Sequence, residues 1–174
     1  MIKLTSTYSA CYRSPRQLEG LVGIRRIDAG ALDGFAIGED GRLWGWGGIA
    51  WLAALIIRGP QLDPTEPVVV LLSGVVPVPQ MQGVVTVASG FIDWLFVMED
   101  GSLWRWRLGQ TWPLELPAMP MPEWSGVVAV TSTFNYAYYV LRNDGTVWAW
   151  GPNENGQLGD GTRENRETAV RVGG

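Results

Sequence analysis

The chain has 174 residues, enough for one domain with a sizeable core, and nearly half are apolar, which argues against disorder. Its net charge of −4, from 13 basic and 17 acidic residues, argues against nucleic acid as the main partner. Histidine is absent and Cys11 is the sole cysteine, which removes histidine-based catalysis, intrachain disulfides and cysteine zinc clusters.

The N-terminus, Met1 to Thr7, has no apolar core of signal-peptide length. The longest apolar run, Gly48 to Ile57, is too short to span a membrane. The sequence therefore predicts a cytoplasmic protein of a reducing compartment.

A repeat runs along the chain. Its first copy is Ile24 to Gly47, its second Val84 to Arg107, its third Val127 to Gly151. Each holds an apolar strand, a polar break, a second apolar strand, an Asp-Gly pair and a Trp-x-Trp strand. The pairs are Asp40-Gly41, Asp100-Gly101 and Asp144-Gly145, spaced by 60 and 44 residues. Asp-Gly between apolar runs predicts a hairpin, because Gly and Asp tolerate positive φ. Period-two geometry puts Trp44 with Trp46, Trp104 with Trp106, and Trp148 with Trp150 on one strand face.

A fourth strand per unit is sought in Ser14 to Leu18, Trp112 to Leu116 and Thr168 to Val172. Pro15 and Pro113 suit sheet edges. The fold class expected is all-β, with tandem four-stranded propeller-type blades. One domain covers 1–174 as three repeats (14–83, 84–126, 127–174), with an apolar insertion at 47–83. That insertion is read either as an interface or cap, or as additional core, and a helix, if there is one, is confined to Gly47 to Gly59.

The run Asn143 to Thr162, NDGTVWAWGPNENGQLGDGT, resembles the repeat of the regulator of chromosome condensation family. That repeat ends in Asp-Gly-x-Val-x-x-Trp-Gly and then Asn-x-x-Gly-Gln-Leu-Gly-x-Gly. The first two units match only in their front halves. The resemblance implies β-propeller blades, in a family whose members are typically seven-bladed rings. It implies no single function: the family includes nucleotide-exchange factors for a nuclear GTPase, a plant ultraviolet photoreceptor, β-lactamase inhibitors and many bacterial proteins. Most bind another protein through loops at one end of the ring.

Three departures stand out. The family often has histidine after the Gly of the first strand, where this chain has Asp33, Asp93 and, allowing one extra residue, Tyr136 or Asn135. The first two units lack the Gly-Gln-Leu-Gly loop. Three units are present where seven are usual. Three blades of normal width do not close a ring, so the sequence predicts an incomplete or oligomerically completed propeller. Unpaired edges attract other chains, and a homo-oligomer is one expected outcome.

The carboxylate pairs Glu39-Asp40 and Glu99-Asp100 are the candidates for catalytic chemistry, but hairpin turns explain them. Asp28, Asp33 and Asp93 are read as solvated loop residues rather than a cation site, and Gly156 to Gly161 lacks the Lys-Ser/Thr of a phosphate loop. No enzyme activity, cofactor or metal is expected. The leading function is a protein-binding module, in its sharpest form an inhibitor or immunity protein that covers a partner enzyme, the partner being basic. The alternative is a carbohydrate-binding or carbohydrate-active protein using Trp platforms and carboxylates; exposed tryptophans would favour it, buried ones would not. Loops carry recognition, so the partner-binding residues expected are Asp33, Asp93 and Tyr136 along one face. Phe91 and Trp94 flank Asp93 as an apolar anchor. The competing reading is that Asp33 and Asp93 hydrogen-bond loop backbone within their own blades.

Overall fold

The computed structural model describes residues 17–30, 33–47, 75–90, 93–107, 118–133 and 135–173. They form twelve strands in three four-stranded antiparallel sheets. The first sheet has β1 (Ile24–Ala29), β2 (Asp33–Gly38), β3 (Arg42–Gly47) and β4 (Val76–Gln82). The second has β5 (Val84–Ser89), β6 (Asp93–Met98), β7 (Leu103–Arg107) and β8 (Met119–Pro120). The third has β9 (Val127–Ser132), β10 (Tyr138–Arg142), β11 (Val147–Gly151) and β12 (Arg166–Arg171). Strand order in each sheet is sequence order, as in a propeller blade. The described sheets stack as an arc and do not close a ring.

The Asp-Gly pairs turn the second strand into the third in every blade. Gly41, Gly101 and Gly145 have φ of 76°, 78° and 79°, a conformation a side chain rarely adopts. Each N–H closes the turn onto Gly38, Met98 or Arg142 at 2.9–3.0 Å. The aspartate also anchors the start of the third strand. Asp100 Oδ1 accepts the backbone N–H and the hydroxyl of Ser102, and Ser102 Oγ accepts the indole N–H of Trp104. Asp144, Thr146 and Trp148 repeat this relay. The hydroxyls, then the backbone N–H groups, hold both aspartates below the usual carboxylate range. In the first blade Arg42 takes the hydroxyl position: its backbone N–H reaches Asp40 Oδ1, and its Nε pairs with Oδ2 at 3.3 Å.

Two expectations about the fourth strands are corrected. In the first blade the outer strand is β4, following β3, and Gln17 and Leu18 are not in a strand. The outer strand follows the Trp-x-Trp strand in all three blades, so the insertion delays it rather than replacing it. In the second blade the outer strand is Met119–Pro120, whereas Trp112 to Leu116 lies outside the described residues. Pro77, Pro79 and Pro120 sit in these outermost strands, where a missing N–H costs no further ladder bond. Pro15, Pro113, most of the 47–83 insertion and the helix considered within it also lie outside the described residues.

The core lies between blades. Phe35, Ile37 and Leu43 of the first blade pack with Val84, Val87, Trp94 and Phe96 of the second. Leu95, Val97 and Leu103 of the second pack with Val127, Val130, Tyr138 and Val140 of the third. Strand β6 thus alternates its side chains between two cores: Trp94 and Phe96 one way, Leu95 and Val97 the other. Backbone bonds tie the blades at one end. The carbonyl of Gly41 accepts from Gly83 at 3.2 Å, and that of Gly101 from Val127 at 2.9 Å.

Candidate functional site

The blade junctions hold the residues that the sequence singled out. Asp33 opens β2 and is 9% exposed; Asp93 opens β6 and is 1% exposed. Both reach across a junction. Asp33 Oδ2 accepts the indole N–H of Trp94 at 2.9 Å and the hydroxyl of Ser89 at 3.1 Å. Asp93 accepts the hydroxyl of Tyr138 and the guanidinium of Arg105, whose Nε lies 2.9 Å from Oδ2. Asp28 makes a third bridge, accepting the N–H of Val87 at 3.2 Å.

These contacts correct the sequence reading of Asp33, Asp93 and Trp94 as loop residues presented to solvent. All three are buried. The bonds described for the two aspartates run to side chains, mostly in the next blade. The physical reason is that a carboxylate at the first residue of the second strand faces the neighbouring blade, where burial demands hydrogen-bond donors. Trp94, Ser89 and Tyr138 supply them. Phe91 lies outside the described residues.

Tyr136 stands apart. It is 39% exposed and has φ of 63°, the one positive φ at a non-glycine among the described residues. It is also not the counterpart of Asp33 and Asp93. The N–H of Gly30 bonds the carbonyl of Asp33, that of Gly90 bonds Asp93, and that of Thr133 bonds Ala137. The third-blade counterpart is Ala137, because the connecting loop is one residue longer and displaces Tyr136 outward.

Two clefts open between the second and third blades. One, of about 580 Å³, is lined by Asp93, Arg105, Arg107, Tyr136, Trp150 and Arg166, among others. The other, of about 430 Å³, shares Arg105, Trp150 and Glu167 with it and continues past Trp124 and Trp148. Sequence reasoning missed the arginines. A signal was present: Trp104-Arg105-Trp106-Arg107 carries arginines where the other Trp-x-Trp strands have Gly45, Gly47, Ala149 and Gly151.

The Gly-Gln-Leu-Gly loop is built around Asn153, which is fully buried. Its side chain donates to Asp160 and to the carbonyl of Thr162 and accepts from the N–H of Leu158. The Thr162 hydroxyl, and then Arg166 at 2.7 Å, hold the Asp160 carboxyl far below the usual range, although burial opposes them. This loop is a closed hydrogen-bonded unit. Among the described residues no cluster of acidic, cysteine or histidine side chains is arranged to hold a metal.

A family model described as the regulator of chromosome condensation (RCC1) repeat matches residues 144–171. The fold resembles the crystal structure of human WBSCR16, with a TM-score of 0.64 and 23% identity over 91% of this chain and 42% of that one. It also resembles Prp20p of Saccharomyces cerevisiae, which has binding properties to Gsp1p and histones. There the TM-score is 0.58 and the identity 16%, over 89% of this chain and 39% of that one. The chain spans about two fifths of the length of these solved proteins. Residues 144–171, which hold the last two strands of the third described blade, thus match the regulator of chromosome condensation repeat, and the three described blades share one architecture.

Proposed function

We propose that this chain is a non-catalytic protein-binding module whose arc of blades is completed by another protein surface. One observation carries the reading. Ile27, Val87 and Val130 hold one repeat position, each paired with the corresponding residue of the second strand, Ala36, Phe96 and Val140. Val87 and Val130 are 4% and 7% exposed because a blade covers them, whereas Ile27 is 72% exposed. At the other end of the arc Leu141 is 38% exposed, while its counterparts Ile37 and Val97 are buried. Apolar side chains at positions that blades cover elsewhere fit a protein partner.

Other features support the same reading. Of the carboxylates available for chemistry by sequence, Asp33 and Asp93 are engaged in blade-to-blade bonds and Asp40 and Asp100 in hairpin turns. Trp94, Trp106, Trp124 and Trp150 are buried at the junctions, which weighs against a sugar platform. Prp20p, of like fold, binds proteins. The finer reading is a cytosolic inhibitor or immunity protein that covers a partner enzyme, or a second copy closing the ring. The expectation of a basic partner rests on the acidic net charge and on solvent-facing Asp33 and Asp93, and the burial of those two removes the second ground.

The test places a photo-crosslinking residue at position 27. The reading expects an adduct with a second copy or with one defined host protein, and expects Ile27→Asp to weaken that association while Tm stays within about a degree or two. A strict monomer at high concentration that forms no adduct from position 27 would sink it.

A further inference from the structure

The second blade breaks the pattern of its neighbours at two positions. In β3 and β11 the residues beside the tryptophans are small: Gly45 and Gly47, Ala149 and Gly151. In β7 they are Arg105 and Arg107. Residues i and i+2 of a strand share a face, and here that face also carries Leu103, which packs against the third blade. Both guanidinium groups therefore enter the junction with the third blade, where they line the 580 Å³ cleft. A departure from local rule at one place in a repeat is where function is expected.

The charges in the cleft are unevenly committed. Arg105 is held by Asp93, and Arg166 by Asp160 at 2.7 Å. Arg107 is exposed and has no ion pair among the described residues. Arg105 uses Nε and Nη2 on Asp93, which leaves N–H groups of its planar fork for a second acceptor. At the rim stands Tyr136, exposed and held at φ of 63°. Backbone strain of that kind in a bulky residue persists where the surroundings enforce it and is found at binding sites. Arg105 and Arg166 are each matched by a carboxylate, Asp93 and Asp160, and Glu167 also lines the cleft, so the charges there balance overall and Arg107 is the one lining arginine without an ion pair among the described residues. A single uncommitted guanidinium suits a monoanion better than a phosphate dianion.

We propose that this cleft takes a carboxylate side chain from an acidic segment of a protein partner, with Arg107 and Arg105 binding the carboxylate and Tyr136 packing on its stem. The inference rests on the protein-binding reading and reverses the charge expected of the partner. A bidentate arginine–carboxylate contact supplies direction as well as attraction, and the aromatic ring supplies apolar area beside it.

The probe is a fluorescein-labelled hexaglutamate peptide, followed by anisotropy at low and moderate salt. The expected result is saturable binding that weakens as salt rises. Arg107→Glu should lower the affinity at least tenfold, and Arg107→Lys by less, because lysine keeps the charge but loses the fork. Tyr136→Ala should lower it several-fold. Arg42→Glu, in the hairpin turn of the first blade, should leave it unchanged. The proposal is overturned if hexaglutamate fails to bind, if hexalysine binds more tightly, or if Arg107→Glu binds as well as the parent with an unchanged melting curve. Inorganic phosphate displacing the probe at a lower concentration than unlabelled hexaglutamate would also overturn it. If the peptide fails while the adduct from position 27 forms, the cleft assignment falls alone. If the peptide binds and that adduct never forms, the open-face reading falls instead.

Discussion

The carboxylate of Asp33 in the first blade accepts the indole N–H of Trp94 in the second, at 2.9 Å. One blade further along, Asp93 accepts the hydroxyl of Tyr138 in the third. Trp94 and Tyr138 are counterparts, paired in register with Trp106 and Trp150 and packed on those rings. A buried carboxylate of one blade is thus satisfied by an aromatic donor of the next, twice in succession. The third blade has Ala137 at the aspartate position and the first has Gly34 at the donor position, so neither a buried acid without its donor nor the reverse arises there.

This pairing makes Trp94→Phe a test of stability rather than of binding. The substitution keeps most of the ring but removes one donor from a buried carboxylate that Ser89 still reaches, which costs about 1–3 kcal/mol. For a domain of this size each kcal/mol corresponds to about 2–4 °C in Tm. Asp33→Asn should cost less, because an amide oxygen still accepts from Trp94. A thermal melt reads both. An unchanged Tm for Trp94→Phe would show that the bond contributes nothing to holding the blades together.

The Gly-Gln-Leu-Gly loop should respond to acid. The carboxyl of Asp160 titrates below its unfolded value because the Thr162 hydroxyl, Arg166, the Thr162 N–H and Asn153 all favour its charged form. A depressed folded pKa contributes stability that is fully present above the unfolded value of about 3.9 and is lost as pH falls toward the folded one. Asp100 and Asp144 add in the same direction. Equilibrium unfolding in urea should show stability falling below about pH 4. Asp160→Asn should lower stability at neutral pH and flatten that acid limb. An acid limb as steep in the variant as in the parent would assign the effect to other groups.

Gly151 closes the Trp-x-Trp strand of the third blade at φ of 118°. A Cβ there would lie 2.3 Å from the carbonyl oxygen of Tyr136 and 2.9 Å from Cα of Ala137, both backbone atoms. Gly151→Ala should therefore shift the Tyr136 loop and destabilise the fold by about 1–3 kcal/mol. The readouts are Tm and, independently, the affinity for hexaglutamate. An alanine variant with parental values of both would show that the loop moves freely and that Tyr136 is not held in place.

The sequence by itself determined the three blades and their hairpins. Asp-Gly marks a turn because glycine alone takes its φ without strain, and Trp-x-Trp marks a strand because alternate side chains share a face. Both signals are local and survive without knowledge of neighbours. What Asp33, Asp93 and Trp94 do was decided only by the tertiary structure. Their partners in the neighbouring blade lie 45 to 61 residues away in the chain, and no spacing rule states that one blade brings a donor over the acid of the last. The equivalence of Ala137 rather than Tyr136 with those aspartates was likewise settled by a backbone hydrogen bond to Thr133, since a one-residue loop extension cannot be placed from the sequence. The arginines of β7 were visible as letters throughout. Only the stacking of the second blade against the third shows that they share the junction face with Leu103 and line a cleft, because which face of a strand meets its neighbour is fixed by packing and not by the strand's own pattern.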